Sequence, residues 1–560
     1  MTATPDLAAQ VRAWVAQDPD PQTRAELESL LAAGSDGEAA ADLEDRFAGR
    51  LEFGTAGLRG ALGGGPNRMN RVVVAQAAAG LAAYLLANAA PGERPRVVIG
   101  FDARRNSDVF ARDTAEIVQG AGCEALLLPE PLPTPVLAYA IRPYGCAAGV
   151  MVTASHNPPE DNGYKVYLGD GSQIVPPADR VIAAAIGAVG PVDALPRADD
   201  YRRLGDEVRA DYVAGVRGAV ADGPRELRLV HTALHGVGAS VVAEVLDGAG
   251  FTDRHPVAEQ EAPDPAFPTV AFPNPEEPGA MDLALALAER VDADLVVAND
   301  PDADRCAVAV PLHAGGTAQW RMLSGDEVGW LLADALLERG RRGTFATTIV
   351  SASLLGRMAR ERGAGYAETL TGFKWLTRPD GLDYAYEEAL GYCVAPDLVR
   401  DKDGISALLV VADLAARLRT EGRSLLDRLD ELAVAYGLHA TGQLSARVTD
   451  LSLIADAMAR LRAQPPTTLG GLAVEEVEDL SQGTADLPPT DGLRLRLESQ
   501  GRVVVRPSGT EPKLKCYLEV VVDVEDPGAD GDSDPVAAAR IAGAGRLDAI
   551  TADLSAALGL

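Results

Sequence analysis

Lysine is almost missing from this chain of 560 residues: of 51 basic residues only five are lysine, Lys165, Lys374, Lys402, Lys513 and Lys515. Arginine and lysine serve solubility alike, but only lysine is a compact ammonium whose pKa can be pulled down for proton transfer. Lys165, Lys513 and Lys515 lie inside motif stretches described below, and Lys374 in "TGFKWL" and Lys402 in "DKDGIS" flank another, which points to chemistry there; chance with a compositional bias to arginine is the plain alternative. Cysteine is scarce as well. Cys123, Cys146, Cys306, Cys393 and Cys516 show no CxxC spacing, which argues against a disulfide framework and a zinc site and predicts buried small hydrophobes. No Gly-Lys dipeptide occurs, so a Walker A loop is excluded and nucleoside triphosphate hydrolysis with it. No run approaches the roughly 18 apolar residues of a membrane span, and "MTATPDLAAQVRAWVAQDPD" lacks a basic segment followed by a cleavable apolar core; a cytoplasmic location is expected. Net positive charge is absent too. At −31 the chain is a poor partner for nucleic acid or anionic membranes, so an anionic substrate must be held by a local cluster of basic side chains.

With 47% apolar and 24% charged residues the composition is that of a globular chain, long enough for three or four domains. Residues 5 to about 50 carry helical apolar spacing and form an arm ahead of "FGTAGLRG". Apolar strands then alternate with helical stretches: "RVVIGFDARRNS" and a helix over 107–121, "CAAGVMVTASHNP", "LRLVHTALHGVG" and a helix over 239–249, "ADLVVANDPDADR", and "GTFATTIVSASLLGRMARERGAGYAETLTGF". Such alternation predicts parallel sheets in α/β layers with ligands at the strands' C-terminal ends. After about residue 440 the texture becomes α+β, with a helix over 451–463, strands near 471–477, 492–498, 502–506 and 514–523, and a last helix over 536–558. The expected domains are 1–200 (arm and α/β domain I), 201–317 (α/β domain II), 318–438 (α/β domain III) and 439–560 (α+β domain IV). "EDPGADGDSDP" reads as a solvated acidic loop.

Four loops carry chemistry. In "VVANDPDADRCAV", Asp300, Asp302 and Asp304 alternate directly after a buried strand, a costly arrangement unless something positive sits among them. Oxygen-only ligands suit Mg²⁺ or a related hard cation, and an EF-hand is excluded because Arg305 and Pro311 stand where Gly and Glu are required. The plain alternative is an acidic turn. "GRVVVRPSGTEPKLKCY" places Arg506, Ser508, Gly509 and Thr510 after a strand, an arrangement suited to an anion cradle of hydroxyls, backbone N–H groups and a guanidinium fork; a simple Pro-Ser-Gly turn is the other reading. In "YAYEEALGY", Glu387 and Glu388 could accept hydrogen bonds from sugar hydroxyls or merely face water. In "TASHNPPEDNGYK", Ser155 looks exposed at a strand end. It lacks the glycines of a GxSxG elbow, and His156 reads as poorly placed to deprotonate it because successive extended side chains diverge. A serine that carries a phosphoryl group beside a divalent ion and surrounding cations fits all these parts.

These motifs resemble the α-D-phosphohexomutases, the phosphoglucomutase and phosphomannomutase family: "TASHNPPEDNGYK" its phosphoserine loop, "DPDADR" its metal loop, "YEEALGY" its sugar loop and "RPSGTEPK" its phosphate loop, in family order across nearly the whole chain. The resemblance implies three related α/β mixed-sheet domains plus a C-terminal α+β domain around a central cleft. It implies that Ser155 is phosphorylated, that Asp300, Asp302, Asp304 and a phosphate oxygen on Ser155 bind one Mg²⁺ per chain, and that Arg59 and Arg305 contact the transferring group. By the same resemblance Lys165 is a general acid or base, Lys374, Glu387 and Glu388 face the sugar, and Arg506, Ser508, Gly509 and Thr510 hold the non-reacting phosphate. Glucose 1,6-bisphosphate is the implied activator, a phosphosugar the substrate, and a monomer or homodimer the assembly.

The sugar loop departs from the common Gly-Glu-x-Ser-Gly-His pattern, with Leu390 and Tyr392 where serine and histidine would stand. With the N-terminal arm and "FPTVAFPNPEEPGA", this resembles the branch that includes phosphopentomutases and glucose-1,6-bisphosphate synthases. The expected reaction interconverts hexose 1-phosphate and hexose 6-phosphate through phosphoserine and a bisphosphate. A pentose mutase or a bisphosphate synthase is the alternative, and a Mg²⁺-dependent sugar phosphatase or a phosphosugar-binding protein lies outside the class.

Overall fold

The structure is a computed structural model that describes residues 6–33, 37–54, 57–312, 319–448, 451–508, 513–524 and 534–559. The chain forms two compact units, Met1–Leu323 with Gly391–Ala416 and Ser324–Leu390 with Arg417–Leu560.

The first unit opens with the helices Leu7–Gln17, Pro21–Ala32 and Glu38–Phe47, whose Val11, Trp14, Leu27 and Leu43 join the core of the first sheet. That sheet runs Leu58–Ala61, Asp161–Leu168, Ala148–Val152, Arg96–Phe101, Glu124–Leu127, Arg202–Arg203. Its four inner and far-edge strands from Ala148–Val152 onward are parallel, while Asp161–Leu168 and Leu58–Ala61 pair antiparallel. The second sheet repeats the plan: Leu295–Ala298 lies parallel to Leu229–Thr232 and antiparallel to Ala307–Leu312. The sheets are therefore mixed, as the family resemblance implies, where strand–helix alternation alone predicted parallel ones. In each sheet the strand after the key loop turns straight back as a hairpin, which needs no crossover helix.

One helix in this unit, Arg71–Asn88, is long and apolar enough by length and composition to cross a membrane, which the sequence reading overlooked. Its Val72, Val74, Ala78, Leu81 and Ala82 are buried in the first core, and Asn70 caps it by accepting a hydrogen bond from Val73 N at 3.0 Å. The five cysteines are buried and unpaired, as expected.

In the second unit Gly365–Thr369, Thr344–Thr348 and Leu382–Glu387 pair in parallel, and Ser324 with Glu327 forms a capping box at the start of the helix Gly325–Glu338. An antiparallel sheet follows, in the order Leu438–Arg447, Lys513–Val522, Arg502–Pro507, Leu493–Leu497, Leu472–Asp479, Thr468–Leu469. The last helix, Pro535–Leu558, buries Ile550, Leu554 and Leu558 against this sheet's core. "EDPGADGDSDP" lies almost wholly outside the described residues.

Candidate active site

The fully buried strand Ala148–Val152 ends at the Ser155 loop, and the antiparallel return pairs Met151 with Lys165. Ser155 is 3% exposed, so the expectation of an exposed serine is corrected. Its φ is 53°, a left-handed conformation that a non-glycine residue adopts only when its surroundings impose it. Arg104 is what imposes it. Its guanidinium donates to Ser155 O at 2.6 Å and to Pro158 O at 2.8 Å, and also to Asn157 O. The same backbone turn overturns the reading of His156: because Ser155 is not extended, its Oγ lies 3.2 Å from His156 Nδ1. Burial, with Arg305 and Arg59 nearby, holds that imidazole well below the usual histidine range, so it is neutral.

The second hairpin loop brings Asp300, Asp302 and Asp304 to this serine. All three are fully buried, and one oxygen from each lies within 4.8 Å of the others. Ser155 Oγ donates to Asp300 Oδ2 at 2.8 Å, and Lys165 Nζ donates to Asp302 Oδ2 at 2.6 Å and to Asp304 Oδ2 at 2.8 Å. Ala303, between two of the carboxylates, also has a positive φ of 53°. Burial and the neighbouring Asp302 and Asp304 push the Asp300 carboxyl well above its usual range. Burial raises Asp304 as well, but Lys165, Lys402 and Arg305 outweigh it and hold this carboxyl low. For Lys165 burial favours the neutral amine, yet Asp302 and Asp304 prevail and its pKa is raised. It is therefore a cation.

The donor set fits a hard divalent cation. Asp302 Oδ1 and Asp304 Oδ1 are buried without a hydrogen-bond partner, although Lys165 occupies the other oxygen of each. Buried, unpaired carboxylate oxygens facing one another are costly unless a positive ion meets them. Arg59 donates to Asn157 Oδ1 at 3.1 Å from the edge strand Leu58–Ala61, and Arg305 Nε lies 4.0 Å from both Asp300 and Asp304.

Three further groups stand here that the motif reading did not assign. Lys402 Nζ is 3.2 Å from Asp304; the scarcity of lysine was the signal that pointed to it. Thr134 Oγ1 donates to Asp302 Oδ2 at 2.6 Å, and Arg104 holds the serine loop; neither carries a motif of its own. Gly404 is fixed by proximity, since a Cβ there would sit 2.1 Å from Arg305 O.

The sugar and phosphate motifs fall in the second unit. Glu387 ends the strand Leu382–Glu387, and Glu388 begins the turn after it. Glu388 accepts from Ser351 Oγ at 2.8 Å, and Leu390 holds a positive φ of 61°. Arg506 donates to Thr371 Oγ1 at 2.8 Å, in the loop that leads to Lys374 on the short helix Phe373–Leu376, and Ser508 N donates to Lys513 O at 2.8 Å. Ile349, Val350, Leu370, Val504, Trp375 and Tyr517 share one apolar cluster beneath these loops. Gly509 and Thr510 lie outside the described residues.

Four family descriptions match the chain: phosphoglucomutase/phosphomannomutase alpha/beta/alpha domain I over residues 50–191, domain II over 210–313, domain III over 324–436 and the C-terminal domain over 446–526. A protein of Haemophilus influenzae named a probable phosphomannomutase is 50% identical over 80% of this chain and 93% of its own length. The phosphopentomutase of Mus musculus is 34% identical over 93% of this chain and 90% of its own. Among solved structures, a phosphoglucomutase/phosphomannomutase family protein of Burkholderia thailandensis shares the fold with a TM-score of 0.68, at 21% identity, over 91% of this chain and 98% of that one.

Proposed function

The chain belongs to the phosphoglucomutase/phosphomannomutase family, whose members are isomerases that transfer a phosphoryl group within a sugar phosphate, and from that premise we propose that it interconverts hexose 1-phosphate and hexose 6-phosphate with glucose or mannose as the sugar. The observation that carries this reading is Ser155 Oγ, 2.8 Å from Asp300 inside a buried carboxylate triad that Lys165 also touches. A binding protein would need no such buried serine acceptor, and a phosphatase that used one would release inorganic phosphate instead of isomerising the sugar phosphate.

Phospho-Ser155 gives its phosphoryl group to the free hydroxyl of the sugar monophosphate. The Oγ–P bond breaks, a sugar O–P bond forms, and the bisphosphate returns its other phosphoryl group to Ser155. Lys165, kept cationic by Asp302 and Asp304, holds the proton exchanged at this centre. Arg59 and Arg305 contact the phosphoryl oxygens, and Arg104 keeps the serine loop in shape. With the Ser155 proton directed to Asp300, neutral His156 donates its Nδ1–H to Ser155 Oγ between transfers. One Mg²⁺ per chain, held by Asp300, Asp302 and Asp304, supplies neutralisation of the charge on the transferring group. Lys374, Glu387 and Glu388 bind the sugar, and Arg506, Ser508, Gly509 and Thr510 bind the phosphate that does not react. Glucose 1,6-bisphosphate charges the serine. The enzyme works in the cytoplasm as a monomer or homodimer on a small phosphosugar, without nucleic acid or membrane.

A pentose 1-phosphate is the second reading, favoured by Leu390 and Tyr392 in the sugar loop and by the 34% identity to the mouse phosphopentomutase. Glucose 1-phosphate, mannose 1-phosphate and ribose 1-phosphate, offered separately with Mg²⁺ and catalytic glucose 1,6-bisphosphate and followed by ³¹P NMR, decide between the two. Isomerisation of a hexose phosphate supports the first reading, and isomerisation of ribose 1-phosphate alone replaces it. Phosphate release without isomerisation refutes both.

A further inference from the structure

Glu388 is held from behind by a hydroxyl whose orientation is forced. Ser351 is fully buried just after the strand Thr344–Thr348, and its Oγ makes three short contacts: Glu388 Oε2 at 2.8 Å, Thr348 Oγ1 at 2.8 Å and Glu388 N at 3.3 Å. A serine hydroxyl has one proton to give and can accept two. The amide of Glu388 can only donate, and the carboxylate can only accept. The Ser351 proton therefore goes to Glu388 Oε2, and Thr348 Oγ1 donates to Ser351. Thr348 Oγ1 in turn accepts from the amides of Val350 at 3.3 Å and Ser351 at 3.1 Å, so its own orientation is set by the backbone. Among the described residues Glu388 Oε1 makes no hydrogen bond, which leaves it to a ligand.

The segment that carries Ser351 is itself clamped. Arg502 donates to Ser351 O and pairs with Glu519 at 2.9 Å, while Glu519 accepts from Ser353 N at 2.8 Å, Ser353 Oγ at 2.9 Å and His439 Nδ1 at 2.8 Å. Arg502 begins the strand Arg502–Pro507, whose other end bears Arg506 and leads to Ser508. One strand thus fixes both the backing of Glu388 and the start of the phosphate loop.

We propose that Ser351 is the positioning residue that sets sugar selectivity: it pins Glu388 Oε2 so that Oε1 points at one sugar hydroxyl, with Arg502 holding the Ser351 main chain. The proposal rests on the reading of Glu388 as a sugar contact. It is tested by Ser351→Ala and the nearly isosteric Ser351→Cys, each alone and combined with Glu388→Ala, in the full-length enzyme with thermal melting as the check on folding; the pair keeps the test alive if one of them fails to fold. Losing a hydrogen bond to a charged group should lower kcat/KM for the preferred sugar phosphate about tenfold, mostly through KM, and shrink the preference between glucose 1-phosphate and mannose 1-phosphate. In the Glu388→Ala background the same substitutions should change kcat/KM by less than about twofold, because the group they act through is gone. If Glu388→Ala alters KM and selectivity while both Ser351 variants do not, the proposal is overturned and the Glu388 reading stands. An undiminished Ser351 effect without Glu388 also overturns it. If Glu388→Ala itself changes neither, the Glu388 reading falls and takes the proposal with it.

Discussion

Asp326 gives the sharpest quantitative test of the second unit. It lies in the first turn of the helix Gly325–Glu338, 5% exposed, and its Oδ1 accepts from Ala352 N and Tyr386 OH, both at 2.8 Å. These two bonds and the helix N-terminus favour the carboxylate, but burial outweighs them, Glu388 and Glu519 add repulsion, and the pKa is pushed to about 7. In the unfolded chain it returns to about 3.9. The folded state therefore binds the extra proton between these values, and stability falls as pH rises from about 4 to about 7. Folding with Asp326 ionised above pH 7 costs about 4 kcal/mol relative to the protonated form, of which about 2 kcal/mol is lost between pH 5.5 and pH 8.

Asp326→Asn keeps an oxygen to accept both hydrogen bonds and removes the titration. The stability difference between variant and wild type should consequently move by about 2 kcal/mol in the variant's favour from pH 5.5 to pH 8, whatever its starting value. Urea unfolding at the two pH values, followed by the fluorescence of Trp330 and Trp375 in the same unit, measures it. A difference that stays constant with pH would show that Asp326 is ionised in the folded protein across this range, and the burial argument would be wrong.

Ser155→Ala should abolish mutase turnover and incorporation of phosphate from glucose 1,6-bisphosphate while leaving the melting temperature nearly unchanged; normal turnover in this variant would end the phosphoserine reading. Chelation with EDTA should remove activity and added Mg²⁺ restore it, and Asp302→Asn should lower kcat by at least about a hundredfold, from loss of charge stabilisation at the phosphoryl group. Lys165→Gln should lower kcat by about 10²- to 10⁴-fold, the usual range for a group that moves a proton in the transition state, and a loss confined to KM would remove it from that role. Gly404→Ala should destabilise the first unit or distort its site, since the new Cβ would fall 2.1 Å from Arg305 O; unchanged melting and activity would refute that contact.

What the sequence made legible follows from where each group sits along the chain. Asp300, Asp302 and Asp304 occupy one hairpin loop, so their alternation alone announced a shared charge site, and the pattern survives without any tertiary information. Lys165 and Arg59 lie on adjacent strands of one sheet and Ser155 in the loop that follows the next strand, Ala148–Val152, and a single local motif exposed Ser155 and Lys165. The contact between Ser155 and His156 was not legible, because it depends on a positive φ that Arg104, 51 residues away, imposes by holding the Ser155 carbonyl. The long strand Leu438–Arg447 escaped for a related reason. Its "LHATGQLSAR" has little of the β-branched and aromatic character of a strand, and its conformation comes from continuous pairing with Lys513–Val522, from Leu438 opposite Val522 to Arg447 opposite Lys513. Ser351 shows the same limit at the sugar loop. A serine in "VSASLL" has no local feature to distinguish it from Ser353, and only the fold reveals that one hydroxyl faces Glu388 and the other Glu519. Motifs therefore reported the groups proposed to meet the substrate, whereas the groups that orient them are set by long-range contacts such as those of Arg104 and Ser351.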